Sequence, residues 1–248
     1  MTTARAPATR KSATARPIDS ITGERLALAS PLFGLLPSDT RDQLARQSPT
    51  RTVPVGAFLM EHGAPDQDVL LLLAGSARVL NYSASGRFVS FATVSAGDVV
   101  GELAAIDGGG RSASVLAITP CTVAAIPGTA FLSAVLASPD AAHWMLQKLA
   151  RTIRSGDSRI SDLTFLTAEQ RTCLFLLQWE RQVSQHEAPL RPTPSIDVMA
   201  SQIGVARETV ARVLGRLTKE GIIERRGRLI SIRNTKRLEE LASDSDEA

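Results

Sequence analysis

The stretch that follows Pro139 constrains this chain most. No further proline occurs until Pro189, and proline is the residue a helix interior does not hold. Within it Ala142, Leu146, Leu149, Ile153, Gly156, Ile160 and Leu163 recur at spacings of 4, 3, 4, 3, 4 and 3. A helix turning about 100° per residue lays all seven along one narrow stripe, and Pro139 with Asp140 suits its first turn. The flanks are polar: Gln147, Lys148, Arg151, Arg154, Ser158 and Arg159. A narrow seam with charged flanks favours pairing with a second copy of the same helix, with Leu146, Leu149, Ile153, Ile160 and Leu163 as the contact residues. A helix packed on its own domain would leave a similar stripe. Gly156 is the exception in the seam, since glycine inside a helix costs about 1 kcal/mol relative to alanine; it implies that something approaches the backbone closely there.

Upstream the texture differs. Between Val53 and Ile126 short apolar or alternating runs are separated by turn signals at Gly56, Gly63 to Pro65, Gly75, Ser83 to Gly86, Gly97-Asp98 and Gly108 to Gly110. Val69 to Leu73, Ala77 to Asn81 and Phe88 to Val94 have strand length and β-forming residues, predicting a small antiparallel barrel or roll. The fold class expected is therefore α+β: a β-roll, a long dimerisation helix and a smaller C-terminal domain.

Composition removes several classes. The two cysteines, Cys121 and Cys173, lie far apart with no CxxC partner, which argues against a disulfide framework, a structural zinc or a cysteine-held cluster and fits a reducing cytoplasm. The apolar run Val69 to Ala74 is far short of the about 20 residues that span a bilayer, so no membrane segment is expected. Residues 1–28, with Arg5, Arg10, Lys11 and Arg16 among Ala, Thr and Ser, read as a disordered basic arm; they also faintly resemble an organellar transit peptide.

The net charge of +3 says less than its distribution. Between Leu190 and Arg237 eleven basic residues face four acidic ones, and residues 238–248 then form an acidic tail. A basic module of this kind suits a polyanion. Thr167 is placed to cap a helix over Ala168 to Arg181. After a loop at 184–194, Ser195 caps a short helix that buries Ile196, Met199, Ala200 and Ile203. Gly204 permits a tight turn, Val205 fills the space between helices, and a second helix buries Val210, Val213, Leu214 and Leu217. Its other face presents Arg207, Glu208, Ala211, Arg212, Arg216 and Lys219. Arginine can bond guanine bidentately in the major groove, and glutamate can accept from a cytosine amino group. An ordinary helical hairpin with a solvated basic face would show the same helices. The run Gly221 to Ile232, with Arg225, Arg226 and Arg228 at its turn, adds a two-stranded wing, and the whole reads as a winged helix-turn-helix that binds double-stranded DNA.

Three motifs carry a family resemblance. Arg207-Glu-Thr-Val-Ala-Arg212 resembles the recognition-helix motif of the catabolite activator and fumarate-nitrate regulator (CRP/FNR) family of transcription regulators. Leu163-Thr-Phe-Leu166 resembles the hinge joining that family's dimer helix to its DNA-binding domain, and Gly101-Glu-Leu103 with Arg111-Ser-Ala113 resembles its phosphate-binding cassette. The likeness runs from Ser30 to Ile232 in the family's domain order. It implies a homodimer on a palindromic operator, with Arg207, Glu208 and Arg212 at base edges, Thr167 and Thr209 on phosphates, and Arg216 and Arg226 on the DNA-facing side. RNA polymerase is the further partner it implies. The family often carries Ser or Thr just before the recognition helix; Ala206 stands there instead, so a helix cap and a phosphate contact are missing.

The cassette has a physical reading as well. A buried phosphodiester needs an arginine fork, hydroxyl donors and free backbone N–H groups at a helix start. Arg111, Ser112 and the turn at Gly101 to Ala104 offer these, leaving Glu102 to accept a ribose hydroxyl. On these residues alone, an ion pair between Glu102 and Arg111 that binds nothing is an equal alternative. The resemblance favours a cyclic nucleotide as effector, cAMP first on family frequency. In the catabolite activator a Thr-Ser pair on the dimer helix grips the base; the corresponding residues here are Gly156 and Asp157, which cannot reproduce those hydroxyls. Gly156 leaves room for a base and Asp157 can accept from guanine, so cGMP is the rival.

The layout expected is a β-roll over 29–136, dimerisation helix and hinge over 137–166, and winged helix-turn-helix over 167–237. No metal or haem is expected, His62, His143 and His186 being scattered. No nucleophile and base come together as in an enzyme, and no segment is left for a catalytic domain. A regulator that binds DNA without ligand, its β-roll a vestigial scaffold, is the alternative; a cyclic-nucleotide-regulated enzyme subunit ranks below it.

Overall fold

The computed structural model describes residues 17–18, 21–83, 88–184, 193–227 and 229–243. It divides into two compact units, Met1–Ser83 with Phe91–Leu149, and Ala84–Ser90 with Ala150–Ala248.

In the first unit helices α1 (Gly23–Ala29), α2 (Pro31–Gly34) and α3 (Ser38–Arg46) precede the strands. One sheet takes β1 (Pro17–Ile18), β2 (Thr50–Val53), β9 (Cys121–Ile126), β4 (Val69–Ala74) and β7 (Val99–Val100) in that spatial order. The other takes β3 (Phe58–Met60), β8 (Ser114–Ala117), β5 (Ser76–Tyr82) and β6 (Phe88–Ser95). The registers of β2 on β9, β4 on β9, β4 on β7, β3 on β8 and β5 on β8 are antiparallel, as the turn spacing predicts.

Strand β4 shows why its sequence is apolar at successive positions. Val69 and Leu71 point into a core shared with the helices, where they meet Phe33, Phe131 and Leu26. Leu70 and Leu72 point the other way, into a second core with Val53, Val115 and Val123. A strand covered on both faces has no polar side to alternate with.

The structure differs from expectation in several places. The expected arm is in part folded: Pro17–Ile18 pair with β2 as β1, and Ile21 and Leu26 are buried in the first core beside Leu32; the rest of the expected arm, 1–16 and 19–20, lies outside the described residues. Between β7 and β8 lies a short helix, α4 (Glu102–Asp107), which begins at the Gly101 to Ala104 turn, and after β9 comes α5 (Gly128–Ala137), which the reading of this region as β-roll does not anticipate. Helix α6 then runs 27 residues, Pro139–Phe165, filling the first part of the proline-free stretch.

The second unit holds α7 (Ala168–Ser184), α8 (Ile196–Ile203), α9 (Arg207–Lys219), the hairpin β10 (Ile223–Arg226) and β11 (Leu229–Ile232), and α10 (Thr235–Ser243). Met199, Ala200, Ile203, Val210, Val213, Leu214 and Leu217 all enter its core, the residues that the apolar spacing selects. Residues 238–243 of the expected acidic tail belong to α10, which buries Leu238 and Ala242 in the same core; 244–248, His186, Arg228 and most of the 184–194 loop lie outside the described residues.

Candidate functional site

The cassette is assembled in the first unit. Gly101 sits at φ +89°, and a Cβ there would collide with Arg111 Nη1, so only glycine lets the arginine pass. Helix α4 ends at Gly108, Gly109 N–H bonds Asp107 Oδ1 at 2.8 Å, and the chain returns. Backbone bonds from Gly63 N–H to Arg111 O (2.8 Å) and from Arg111 N–H to Ala64 O (3.0 Å) then lock the arginine's main chain beside the loop before β4. The three glycines thus act as the turn that carries Arg111 back to Gly101.

The Arg111 side chain is buried, with 2% of the residue exposed. Its Nη1 donates to Gly101 O at 3.1 Å, and its Nη2 donates to Asp68 O at 2.6 Å and to the Asp66 carboxylate. Its Nε is buried without a hydrogen-bond partner among the described residues. Glu102 does not pair with Arg111. Its Oε1 accepts from Lys148 Nζ of α6 at 2.6 Å, and the same ammonium donates to Val99 O at 2.6 Å. The expected alternative of a closed Glu102–Arg111 pair is therefore not what forms, because each charge has found a nearer opposite charge from outside the cassette.

Asp68 is pushed above the ordinary carboxylate range, first by burial and then by the neighbouring Asp66, with Arg111 and Arg51 opposing. Ser112 and Leu103 are exposed and Ala113 is half-buried; Asn81 Nδ2 holds the Ser112 carbonyl at 3.1 Å. Gly156 and Asp157 lie further along α6, in the second unit, both exposed. The close approach inferred at Gly156 is not made within the described residues of this chain: nothing stands within 4 Å of its Cβ position, because the seam there is open.

The same openness holds along the seam. Leu146, Ile153, Ile160 and Leu163 expose 64%, 64%, 65% and 44% of their surface. Leu149 is half-buried against the first core, while Ala141 and Met145 carry the inward face.

In the second unit the hinge is tied from two sides. The Arg171 guanidinium donates to the carbonyls of Leu163 (3.1 Å) and Leu166 (3.0 Å), placing a cation on the open carbonyl end of α6. Thr167 caps α7 as its sequence position predicts. Its Oγ1 accepts from Gln170 N–H at 3.2 Å, and Gln170 Oε1 accepts from Thr167 N–H at 2.7 Å, a reciprocal capping box. Gly204, at φ +76°, makes the tight turn between α8 and α9, and a Cβ there would lie 2.7 Å from Leu163 Cδ2.

Helix α9 exposes Arg207, Glu208, Arg212, Arg216 and Lys219, with Thr209 half-buried. Ala206 supplies no side-chain cap to it. Arg207 is held by Asp197 of α8 at 3.0 Å, and Arg216 pairs with Glu169 of α7. On the wing Glu224 accepts from Arg226 Nε at 2.6 Å and Arg233 Nε at 2.8 Å; these bonds, that from Arg233 foremost, hold its carboxyl below the ordinary range. Glu208 and Arg212 enter no ion pair among the described residues. Pattern alone does not point to Asp66, Asp68, Asp197, Glu169 or Arg171. Lys148 is visible in the sequence only as a polar flank of the seam.

Burial raises the thiols of Cys121 and Cys173, the latter to about 11, so neither is a thiolate near neutrality. Among the described residues no group of three or more His, Cys, Asp or Glu could hold a metal ion, and no helix is long and apolar enough to cross a membrane.

Comparison with known proteins covers both units. Residues 50–138 match the cyclic nucleotide-binding domain family, and residues 170–241 match the Crp-like helix-turn-helix domain family. The chain is 29% identical to a cyclic AMP receptor protein of Thermus thermophilus over 221 residues, 86% of this chain and 97% of that one. It is 27% identical to a CRP-like cAMP-activated global transcriptional regulator of Mycobacterium tuberculosis over 218 residues, 87% and 97% of the two. The structure of FixK2 from Bradyrhizobium japonicum shares the fold at a TM-score of 0.66 and 23% identity, covering 80% of this chain and 98% of that one.

Proposed function

The chain belongs to the CRP/FNR family of DNA-binding transcription regulators, a family of non-enzymes, and from that premise we propose a homodimer whose operator binding is controlled by a cyclic nucleotide. The observation that carries the effector is Arg111, a buried guanidinium with an unpartnered Nε inside the matched nucleotide-binding domain. A buried cation with an open donor suits a ligand that brings an anionic oxygen. In this reading the phosphodiester lies on Arg111 and Ser112, beside Gly101, Leu103 and Ala113, and Glu102 accepts a ribose hydroxyl.

The names of the relatives make cAMP the first choice. Gly156 and Asp157 make cGMP its rival: a glycine admits a base at the seam, and a carboxylate can accept from both N1–H and the 2-amino group of guanine. Pairing through Leu146, Leu149, Ile153, Ile160 and Leu163 would set the two α9 helices about one DNA turn, roughly 34 Å, apart. Arg207, Glu208 and Arg212 would then read base edges. Thr167, Thr209, Arg216 and Arg226 would contact the backbone. Control requires that the nucleotide bind the DNA-competent arrangement more tightly than the other.

Calorimetric titration with cAMP and cGMP, paired with anisotropy measurements on a palindromic operator, tests the proposal. We expect one nucleotide to bind and to raise operator affinity, and Arg111→Ala to abolish the response with the far-UV spectrum unchanged. Failure of both nucleotides overturns the cassette assignment. Equal operator affinity with and without a bound nucleotide overturns effector control.

A further inference from the structure

Resting on the reading of the cassette as a cyclic-nucleotide site, we propose that Asp66 is a built-in competitor for the phosphodiester, an internal anion that holds Arg111 when no nucleotide is bound and weakens nucleotide affinity by having to be displaced.

The pair is asymmetric. The Arg111 side chain is 1% exposed, whereas that of its partner Asp66 is 54% exposed. Arg111 is pinned by the carbonyls of Gly101 and Asp68 and by its own main-chain bonds to Gly63 and Ala64. Among the described residues the carboxylate is held at the rim by its pair with Nη2. Of the two partners, only Asp66 can leave at low cost, by swinging into water.

Donor chemistry points the same way. A side-on fork to an anion uses Nε and Nη2 of a guanidinium together. Here Nη2 gives one hydrogen to the Asp68 carbonyl and the other to the Asp66 carboxylate, and Nε has no partner among the described residues. A single carboxylate oxygen has satisfied half of the fork. A phosphodiester has two free oxygens and can bond both nitrogens, but only where Asp66 gives up Nη2.

Charge sharpens the conflict. Glu102 is already matched by Lys148, so Arg111 is the cassette's own cation for an incoming phosphate, with the Asp68 carboxylate on the same loop as Asp66 and Arg51 acting on that carboxylate from outside the cassette. Phosphate and Asp66 on one guanidinium would place two anions against a single cation at the mouth of the pocket. Without nucleotide the same carboxylate has a purpose, since a buried guanidinium left with no anion is strongly destabilising. Asp66 thus keeps the empty cassette folded at the expense of its affinity.

The test uses the full-length protein, Asp66→Asn, which keeps the shape and removes the charge, and Asp66→Ala, which removes the acceptor. Each is titrated with cAMP and with cGMP by calorimetry, and each is melted with and without saturating nucleotide. Both variants are expected to bind the nucleotide that the unaltered protein prefers roughly tenfold more tightly, the scale of removing one competing charge at a partly screened site. The nucleotide-free variants should melt at lower temperature, and nucleotide should raise their melting temperature by more than it raises that of the unaltered protein. Equal or weaker binding by both variants, with the unaltered protein still binding, overturns the competitor role and makes Asp66 a support for Arg111. Silence toward both nucleotides in all three proteins overturns the cyclic-nucleotide reading and the competitor role together.

Discussion

Arg207 is held across α8 and α9 by Asp197, yet both side chains are more than half exposed, at 62% and 54%. A pair in that setting contributes about 0–1 kcal/mol to stability, so its interest lies in what it does to DNA. On the proposed reading of Arg207 as a base-edge contact, Asp197 would offer the arginine an acceptor that a guanine edge must replace and would add a negative charge beside the phosphates. Asp197→Ala is expected to leave the melting temperature nearly unchanged and to tighten operator binding a few-fold, on the order of 0.5–1 kcal/mol, as read by anisotropy titrations at several salt concentrations. Weaker binding would mean that Asp197 aims Arg207 rather than competing for it. The same residues show where sequence reading stops. Arg111 and Arg207 are legible because a helix face or a short motif presents them. Their partners are not: Asp66 lies 45 residues from Arg111, and Asp197 sits on a helix whose apolar face alone is readable. Which anion meets which cation is decided by chain folding and not by local pattern.

Elements are legible where one face differs from the other. The α8 and α9 helices and the hairpin β10–β11 follow their apolar spacing and turn residues closely. Helix α5 does not, since Gly128-Thr-Ala-Phe-Leu-Ser-Ala-Val-Leu-Ala137 is apolar almost all round and has no period to read. Helix α1 has only seven residues, too few to separate a helical stripe from chance. The start of α9 is an element whose weakness is visible in the sequence and in the structure. Ala206 holds the extended backbone of an N-cap, φ −69° and ψ 147°, but has no side-chain oxygen to offer. Ala206→Ser is expected to stabilise the domain by about 1 kcal/mol, a rise of a few degrees in melting temperature for a unit this size. It should also tighten DNA binding if the hydroxyl reaches a phosphate. No change in melting would show that the open N–H groups of α9 are already satisfied by water.

At the scale of the whole molecule, α6 carries an open apolar stripe. Its inward residues Ala141 and Met145 are buried in the core, whereas Leu146, Ile153 and Ile160 each expose about two-thirds of their surface. Soluble chains do not leave such a stripe to water without a partner, and the seam spacing predicts a second copy of the same helix. Ile153 makes the cleanest probe because, at 64% exposure, it lies outside the cores of both units. Ile153→Glu is expected to keep the far-UV spectrum and to sediment as a monomer. Binding to a palindromic operator should fall about a hundredfold or more, because two linked half-sites give up their mutual effective concentration. Affinity for an isolated half-site should stay unchanged, since Ile153 lies on α6 and not on α9, the helix proposed to read DNA. A variant that remains a dimer would move self-association to another surface. A monomer that binds the full palindrome as well as the unaltered protein does would overturn the two-copy reading of the operator.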